Sequence, residues 1–135
     1  MKIALIDTGP MIALFDKKDV AHAHYQLLVR DGWKLTTTWP CVVEVTHFLD
    51  TKSTQAFLRW ISDGGVVLYP FDVSDVPDMA KMMQLYTQWP RMEMDFADAS
   101  LVWLAQDSNT TQIMTMDIRD FSRYRLPDGR AFEIL

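Results

Sequence analysis

Cysteine is almost missing from this sequence: Cys41 stands alone among 135 residues. An internal disulfide is thereby excluded, and so is a zinc site built on several thiolates. Excess positive charge is missing too. Against 13 Lys and Arg there are 18 Asp and Glu, a formal net charge of −5. No whole-protein basic field can therefore hold a nucleic acid non-specifically. No apolar run reaches the roughly 18 residues of a membrane-spanning helix. The opening MKIALIDTGP meets Asp7 after a short apolar stretch, whereas a signal peptide needs a longer one and a small-residue cleavage site. A cytoplasmic location without a membrane partner is expected. Glutamate is scarce as well: of the 18 acids only Glu44, Glu93 and Glu133 are Glu. Solvated helix faces favour Glu over Asp, so the surplus of Asp points to caps, turns or a site built from short carboxylates.

What is present is ordinary globular material, with 49% hydrophobic and 23% charged residues. The length suits a single domain spanning residues 1–135. Short apolar runs alternate with helical patterns. Strands are expected at 2–6 (KIALI), 34–38 (KLTTT), 66–70 (VVLYP), 112–116 (QIMTM) and 131–135 (AFEIL). Helices are expected at 10–15, 21–30, from Pro40 through PCVVEVTHFLD, at 53–61, 73–88 and 95–106. Strand–helix alternation with continuous apolar strands predicts an α/β fold: three α/β/α layers around a central, mainly parallel sheet.

In such a sheet, ligands bind beyond the carboxyl ends of the strands. Asp7 follows the first strand, and Asp117 follows QIMTM. Glu44 interrupts the apolar helical run CVVEVTHFL, and Asp98 interrupts DFADASLVWLA. An acid within an apolar helix is costly to bury unless it is paired or binds a cation. Asp95 lies one turn before Asp98 on the same helix face. Each acid also has a plainer reading. Asp7 and Asp95 suit helix caps, Asp117 a turn, and Glu44 a solvated stripe with Thr46, His47 and Asp50. Those readings do not explain why the acids adjoin the most apolar segments. Carboxylates crowded together raise one another's pKa values, and a hard divalent cation with oxygen ligands relieves the repulsion.

Four segments in order, ALIDTGPMIALFD, WPCVVEVTHFL, MDFADASLVWLA and TMDIRDFSRYR, cover almost the whole chain. Together they resemble the PIN-domain family and, within it, the small bacterial toxins of the VapC type. The resemblance places the family's acidic cluster on Asp7, Glu44, Asp98 and Asp117, with Asp7, Asp98 and Asp117 as metal ligands and Asp95 as an additional acid. Thr8 matches the hydroxyl beside the first Asp, and Thr115 the Thr near the strand end. The resemblance implies a Mg²⁺- or Mn²⁺-dependent endoribonuclease, a cytosolic homodimer, an RNA substrate and a cognate antitoxin protein as partner.

Arg119, Arg123, Arg125 and Arg130 cluster after Asp117 and could contact RNA phosphates, with Arg119 and Arg123 the first candidates, although Asp120 and Asp128 dilute the patch. Trp39 and Trp89 each precede a proline near a helix start and suit the rim of the site. The competing readings are a non-catalytic domain of this kind that binds nucleic acid or protein, and a nuclease of the family without an antitoxin. An aspartic protease built on Asp7-Thr8-Gly9 is disfavoured by the 5 glycines and the long helical patterns. His22 and His24, two apart on one helix, point to different sides and do not suit a paired-histidine ribonuclease.

Overall fold

A computed structural model describes residues 2–135. The strands β1 (Ile3–Ile6), β2 (Lys34–Thr37), β3 (Val67–Leu68), β4 (Gln112–Met114) and β5 (Glu133–Ile134) form one sheet in the order β3-β2-β1-β4-β5. Every neighbouring pair is parallel. Among the described residues seven α-helices flank it: α1 (Thr8–Phe15), α2 (His22–Arg30), α3 (Trp39–Phe48), α4 (Thr51–Ser62), α5 (Val76–Tyr86), α6 (Phe96–Ser108) and α7 (Ile118–Arg123). The layers are α/β/α.

Burial explains the architecture. Ala4, Leu5 and Ile6 have no exposed surface, so β1 is covered on both faces, as a central parallel strand must be. In α6, the run Ala99 to Ala105 is buried all round, which makes this a central helix rather than a surface one. The threonines of β2 and its end are buried because each hydroxyl finds a partner. Thr36 donates to the Val67 carbonyl at 3.1 Å and Thr37 to the Ile6 carbonyl at 2.7 Å, while the Thr38 and Ser100 hydroxyls lie 2.6 Å apart. These bonds tie β2 to β3, to β1 and to α6.

The strand order reverses direction at β1, which pairs with β2 on one side and with β4 on the other. The crevice beyond the carboxyl ends of β1 and β4 is therefore the switch point of the sheet, where open α/β folds bind ligands. The register is Ile6 beside Met114, and the Asp7 amide still donates to the Met114 carbonyl at 2.9 Å. Asp7 thus leaves β1 at the floor of that crevice.

Several boundaries differ from expectation. β4 ends at Met114, so Asp117 does not directly follow a strand; Thr115 and Met116 intervene, with Thr115 buried and Met116 exposed. The region from Val73 opens as a 3₁₀ turn (Val73–Asp75), capped by Asp72, before α5 begins at Val76. Helix α7, within the arginine-rich segment, was not expected at all.

One loop has a strict steric demand. A Cβ on Gly65 would collide with the indole of Trp60 on α4, and that indole stacks on Phe57 in the core, with ring centroids 6.0 Å apart. Gly65→Ala should lower stability by about 1–3 kcal/mol, the usual cost of overpacking. Urea unfolding would show it as a lower midpoint at unchanged slope.

Candidate active site

Three helix starts and one helix flank meet at the switch point. Asp7 is the N-cap of α1, Asp95 of α6 and Asp117 of α7. Capping favours a short carboxylate at each position, because its oxygen satisfies an otherwise unpaired amide. Asp95 accepts the Asp98 amide at 2.8 Å, and Asp117 accepts the Asp120 amide at 3.3 Å. The plainer cap reading is therefore true of these residues. It does not account for Asp98, which lies inside the first turn of α6 and whose Oδ2 accepts the Tyr124 hydroxyl at 2.8 Å.

The carboxylates share one cavity of about 380 Å³. Asp7, Asp98 and Asp117 line it with Glu44 from α3 and with Asp95, so all of the acids singled out in the sequence are brought together. Glu93 and Asp120, which were not singled out, line it too. One carboxylate oxygen each of Asp98, Asp117 and Asp120 lies within 4.8 Å of the others. This compact trio differs from the expected Asp7, Asp98 and Asp117 by one member. Asp120 had a detectable signal: it follows Asp117 by three residues, the same spacing that joins Asp95 to Asp98. A larger hollow of about 800 Å³ lies between α5, α6 and the chain near Leu126, away from these acids.

Asp7 is almost wholly buried. Its Oδ1 accepts the Thr8 amide at 2.7 Å and its Oδ2 the Thr115 hydroxyl at 2.8 Å. The Thr115 hydroxyl also accepts the Asp117 amide at 3.0 Å, so this one side chain links the two strand-end acids. Tyr25 of α2 donates to the Thr115 carbonyl at 3.2 Å and holds the turn. The Thr8 hydroxyl, beside Asp7, is buried and has no hydrogen-bond partner among the described residues.

The electrostatics are those of a crowded negative pocket. Burial pushes the Asp98 carboxyl up to about 8, and the charges of Asp95 and Asp7 add to it. Burial pushes Asp7 up to about 6, against the Thr115 and Thr8 hydrogen bonds that favour its ionised form. Burial and the contact with Asp120 also raise Asp117. Asp120 behaves oppositely. Burial works against its charge, but the Arg123 hydrogen bond leads the influences that hold it below the ordinary range.

The arginines divide. Arg119 is exposed, with its guanidinium 3.5 Å from Asp120. Arg130 is paired with Asp128, and Arg125 donates to the Ser122 and Tyr124 carbonyls. Arg123 turns inward, to Asp120 and the Tyr86 carbonyl. Trp39 is 53% exposed and lines an apolar hollow with Val43, Phe71 and Phe96. That hollow shares Glu44 and Asp95 with the acidic cavity. Trp89 is exposed as well, whereas Trp60 and Trp103 pack against the core.

No protein-family model matches the chain. It is 26% identical over 136 residues to ribonuclease VapC26 of Mycobacterium tuberculosis, an alignment that spans 97% of this chain and 98% of the relative. The solved structure of VapC20 from M. tuberculosis, a sarcin-ricin loop cleaving toxin, superposes with a TM-score of 0.68 at 14% identity, covering 88% of this chain and 92% of that one. VapBC2 of Rickettsia felis, solved with a DNA fragment from its promoter, gives 0.66 at 13% identity over 98% of both chains. The chain shares the PIN-like fold of these VapC structures. Its acidic cavity sits at the sheet crossover of that fold, and no helix among the described residues is long and apolar enough to cross a membrane.

The donor set suits a hard divalent cation. Three carboxylate oxygens stand close enough to surround one ion, and the unpartnered Thr8 hydroxyl adds a neutral oxygen beside Asp7. Among the described residues no histidine or cysteine lines the cavity, so its charged donors are all carboxylates, which suits a hard cation better than zinc.

Proposed function

We propose that this chain is a single-domain, divalent-metal-dependent endoribonuclease and the toxin of a toxin–antitoxin pair. The convergence of Asp7, Asp98, Asp117 and Asp120 at the strand ends carries this reading, and the likeness to a protein named as a ribonuclease supports it.

Asp98, Asp117 and Asp7 would hold Mg²⁺ or Mn²⁺, with Asp120 as the fourth carboxylate. A divalent cation in such a cluster supplies a more acidic water and neutralises charge on the phosphate. Glu44, which lines the cavity from α3, would orient the attacking water or help to hold a second cation. Water oxygen bonds to phosphorus, the P–O3′ bond breaks, and the 3′ oxygen departs with a proton. Thr115 keeps Asp7 and Asp117 in place. Arg119 reaches a flanking phosphate, and Trp39 offers a ring face to an unpaired base. These local contacts, rather than net charge, bind an RNA strand to an acidic protein. A cognate antitoxin blocks the site, the toxin works as a homodimer, and both act in the cytoplasm.

End-group analysis of cleaved RNA tests the mechanism. The expected products carry 5′-phosphate and 3′-hydroxyl ends, and EDTA stops their formation. Cyclic 2′,3′-phosphates formed in the presence of EDTA would refute it, because the RNA 2′-hydroxyl would then be the nucleophile.

A further inference from the structure

Arg123, the last residue of α7, and Tyr124, its C-cap, turn their side chains inward to carboxylates of the acidic cavity rather than out to solvent. Arg123 has a side chain only 22% exposed. Its Nε donates to Asp120 Oδ1 at 2.9 Å, and one Nη donates to the Tyr86 carbonyl at 2.6 Å. Its guanidinium carbon lies 4.9 Å from the ring centroid of Tyr124 and 5.9 Å from that of Tyr86. Its other Nη is buried without a hydrogen-bond partner among the described residues. Tyr124 is fully buried, wedged edge-on against Phe121 and Tyr86, and its hydroxyl reaches across to Asp98. Two of the three carboxylates in the compact trio are thus gripped from behind by the last residue of α7 and by its C-cap.

We propose that Arg123 and Tyr124 are positioning residues: Arg123 fixes the Asp120 carboxylate and Tyr124 the Asp98 carboxylate, so that both face a common cation, and Arg123 is not an RNA contact. This replaces the phosphate-binding role expected of Arg123 from sequence. The physical reason is geometric. A carboxylate has two oxygens and free rotation, and a hydrogen bond on one oxygen aims the other. Asp98 needs such a tether, because the caps that orient Asp7 and Asp117 are not available inside a helical turn. An arginine covered by two tyrosine rings has no open face for a phosphate, whereas Arg119, with its side chain 69% exposed, does.

The inference rests on the cation site proposed above, and its readout is cation affinity rather than turnover. Tyr124→Phe deletes one oxygen and keeps the ring packing. Calorimetric titration of the protein with Mn²⁺ should show affinity weakened by roughly 10-fold or more, the usual cost of losing a ligand's hydrogen-bond partner. The dependence of cleavage on Mn²⁺ should move to higher concentration and reach the wild-type plateau. Tyr69→Phe is the control. It loses a matching hydroxyl–carboxylate contact, Tyr69 to Asp107 at 2.8 Å, away from the cavity, and should leave Mn²⁺ affinity unchanged. Arg123→Lys keeps the charge but not the planar fork. It should weaken Mn²⁺ binding while leaving metal-free RNA binding and its salt dependence as in wild type. Unchanged Mn²⁺ affinity in Tyr124→Phe, with wild type binding the ion and cleaving RNA, overturns the positioning role alone. Reduced salt dependence of RNA binding in Arg123→Lys, at unchanged Mn²⁺ affinity, overturns it in favour of a phosphate contact. Wild-type protein that binds no Mn²⁺ overturns this inference and the nuclease reading together. If Arg123→Lys fails to fold, the tyrosine pair decides.

Discussion

Asp98→Asn will abolish RNA cleavage and, in the absence of divalent ions, make the protein more stable. The two effects have one cause. Asp98 is half-buried, and that burial, with the charges of Asp95 and Asp7 added, pushes its carboxyl up to about 8. A group that resists ionisation to that extent is strained whenever it is charged. Asparagine has the same shape, and its amide oxygen can still accept the Tyr124 hydroxyl. The substitution therefore removes charge repulsion and leaves the packing of α6 intact. The expected gain is on the order of 2 kcal/mol near pH 8, or roughly 5–10 °C in melting temperature for a domain of this size. Catalysis moves the other way. Loss of a carboxylate that holds the cation removes several kcal/mol of transition-state stabilisation, roughly 10³-fold or more in rate. Most buried substitutions lose stability and activity together, so the opposite signs here mark a site whose function is built at the expense of the fold. A destabilised Asp98→Asn that retained activity would remove Asp98 from the cluster. Asp95→Ala should give up most of that gain, because it also removes the oxygen that caps α6 through the Asp98 amide, a contact worth about 1 kcal/mol.

The parts of this site that could be read from sequence are those where the chain's own periodicity dictates direction. β1 is an unbroken apolar run, so its end, and with it Asp7, is located by pattern alone. Glu44 and Asp98 stand out because they interrupt apolar helical runs. What escaped notice depends on side-chain direction over short distances. QIMTM looks like five residues of strand, yet the chain leaves the sheet at Met114 so that Thr115 can bond both Asp7 and the Asp117 amide. The pull of those two polar contacts is invisible in an apolar pattern. α7 has six residues, IRDFSR, too few to display a helical period. Without that helix, Arg119, Arg123 and Arg125 read as one basic patch. With it, Arg123 and Asp120 fall on the inner side one turn apart, and Arg119 falls outside. For the same reason Asp120 reads from sequence as a charge that dilutes the patch, although it is buried and paired.

The stability of the metal-free protein should fall as pH rises, and divalent ions should remove that fall. Unfolded aspartates titrate near 3.8, whereas in the folded chain Asp7 titrates at about 6 and Asp98 at about 8. Between those values the native state keeps protons that the unfolded state has released. By linkage, a native state that binds more protons loses stability with each rise in pH. The penalty is absent below 3.8, grows most steeply from there to about 6 while both groups hold their protons, grows more slowly beyond, and is complete above about 8. It amounts to a few kcal/mol. The curve is the reverse of ordinary acid denaturation, in which salt-bridged carboxylates lose stability as pH falls. A divalent cation binds the deprotonated carboxylates and so competes with protons. At a concentration 100 times its dissociation constant it stabilises the fold by about 2.7 kcal/mol, and it does so most strongly at the pH where the empty cluster is most strained. Thermal melts from pH 5 to pH 8.5, with EDTA and with Mn²⁺, give two curves that diverge as pH rises. Parallel curves would mean that the carboxylates do not share the ion, and a metal-free curve that rises with pH would mean that these acids are paired by caps and hydrogen bonds alone, as the non-catalytic reading requires.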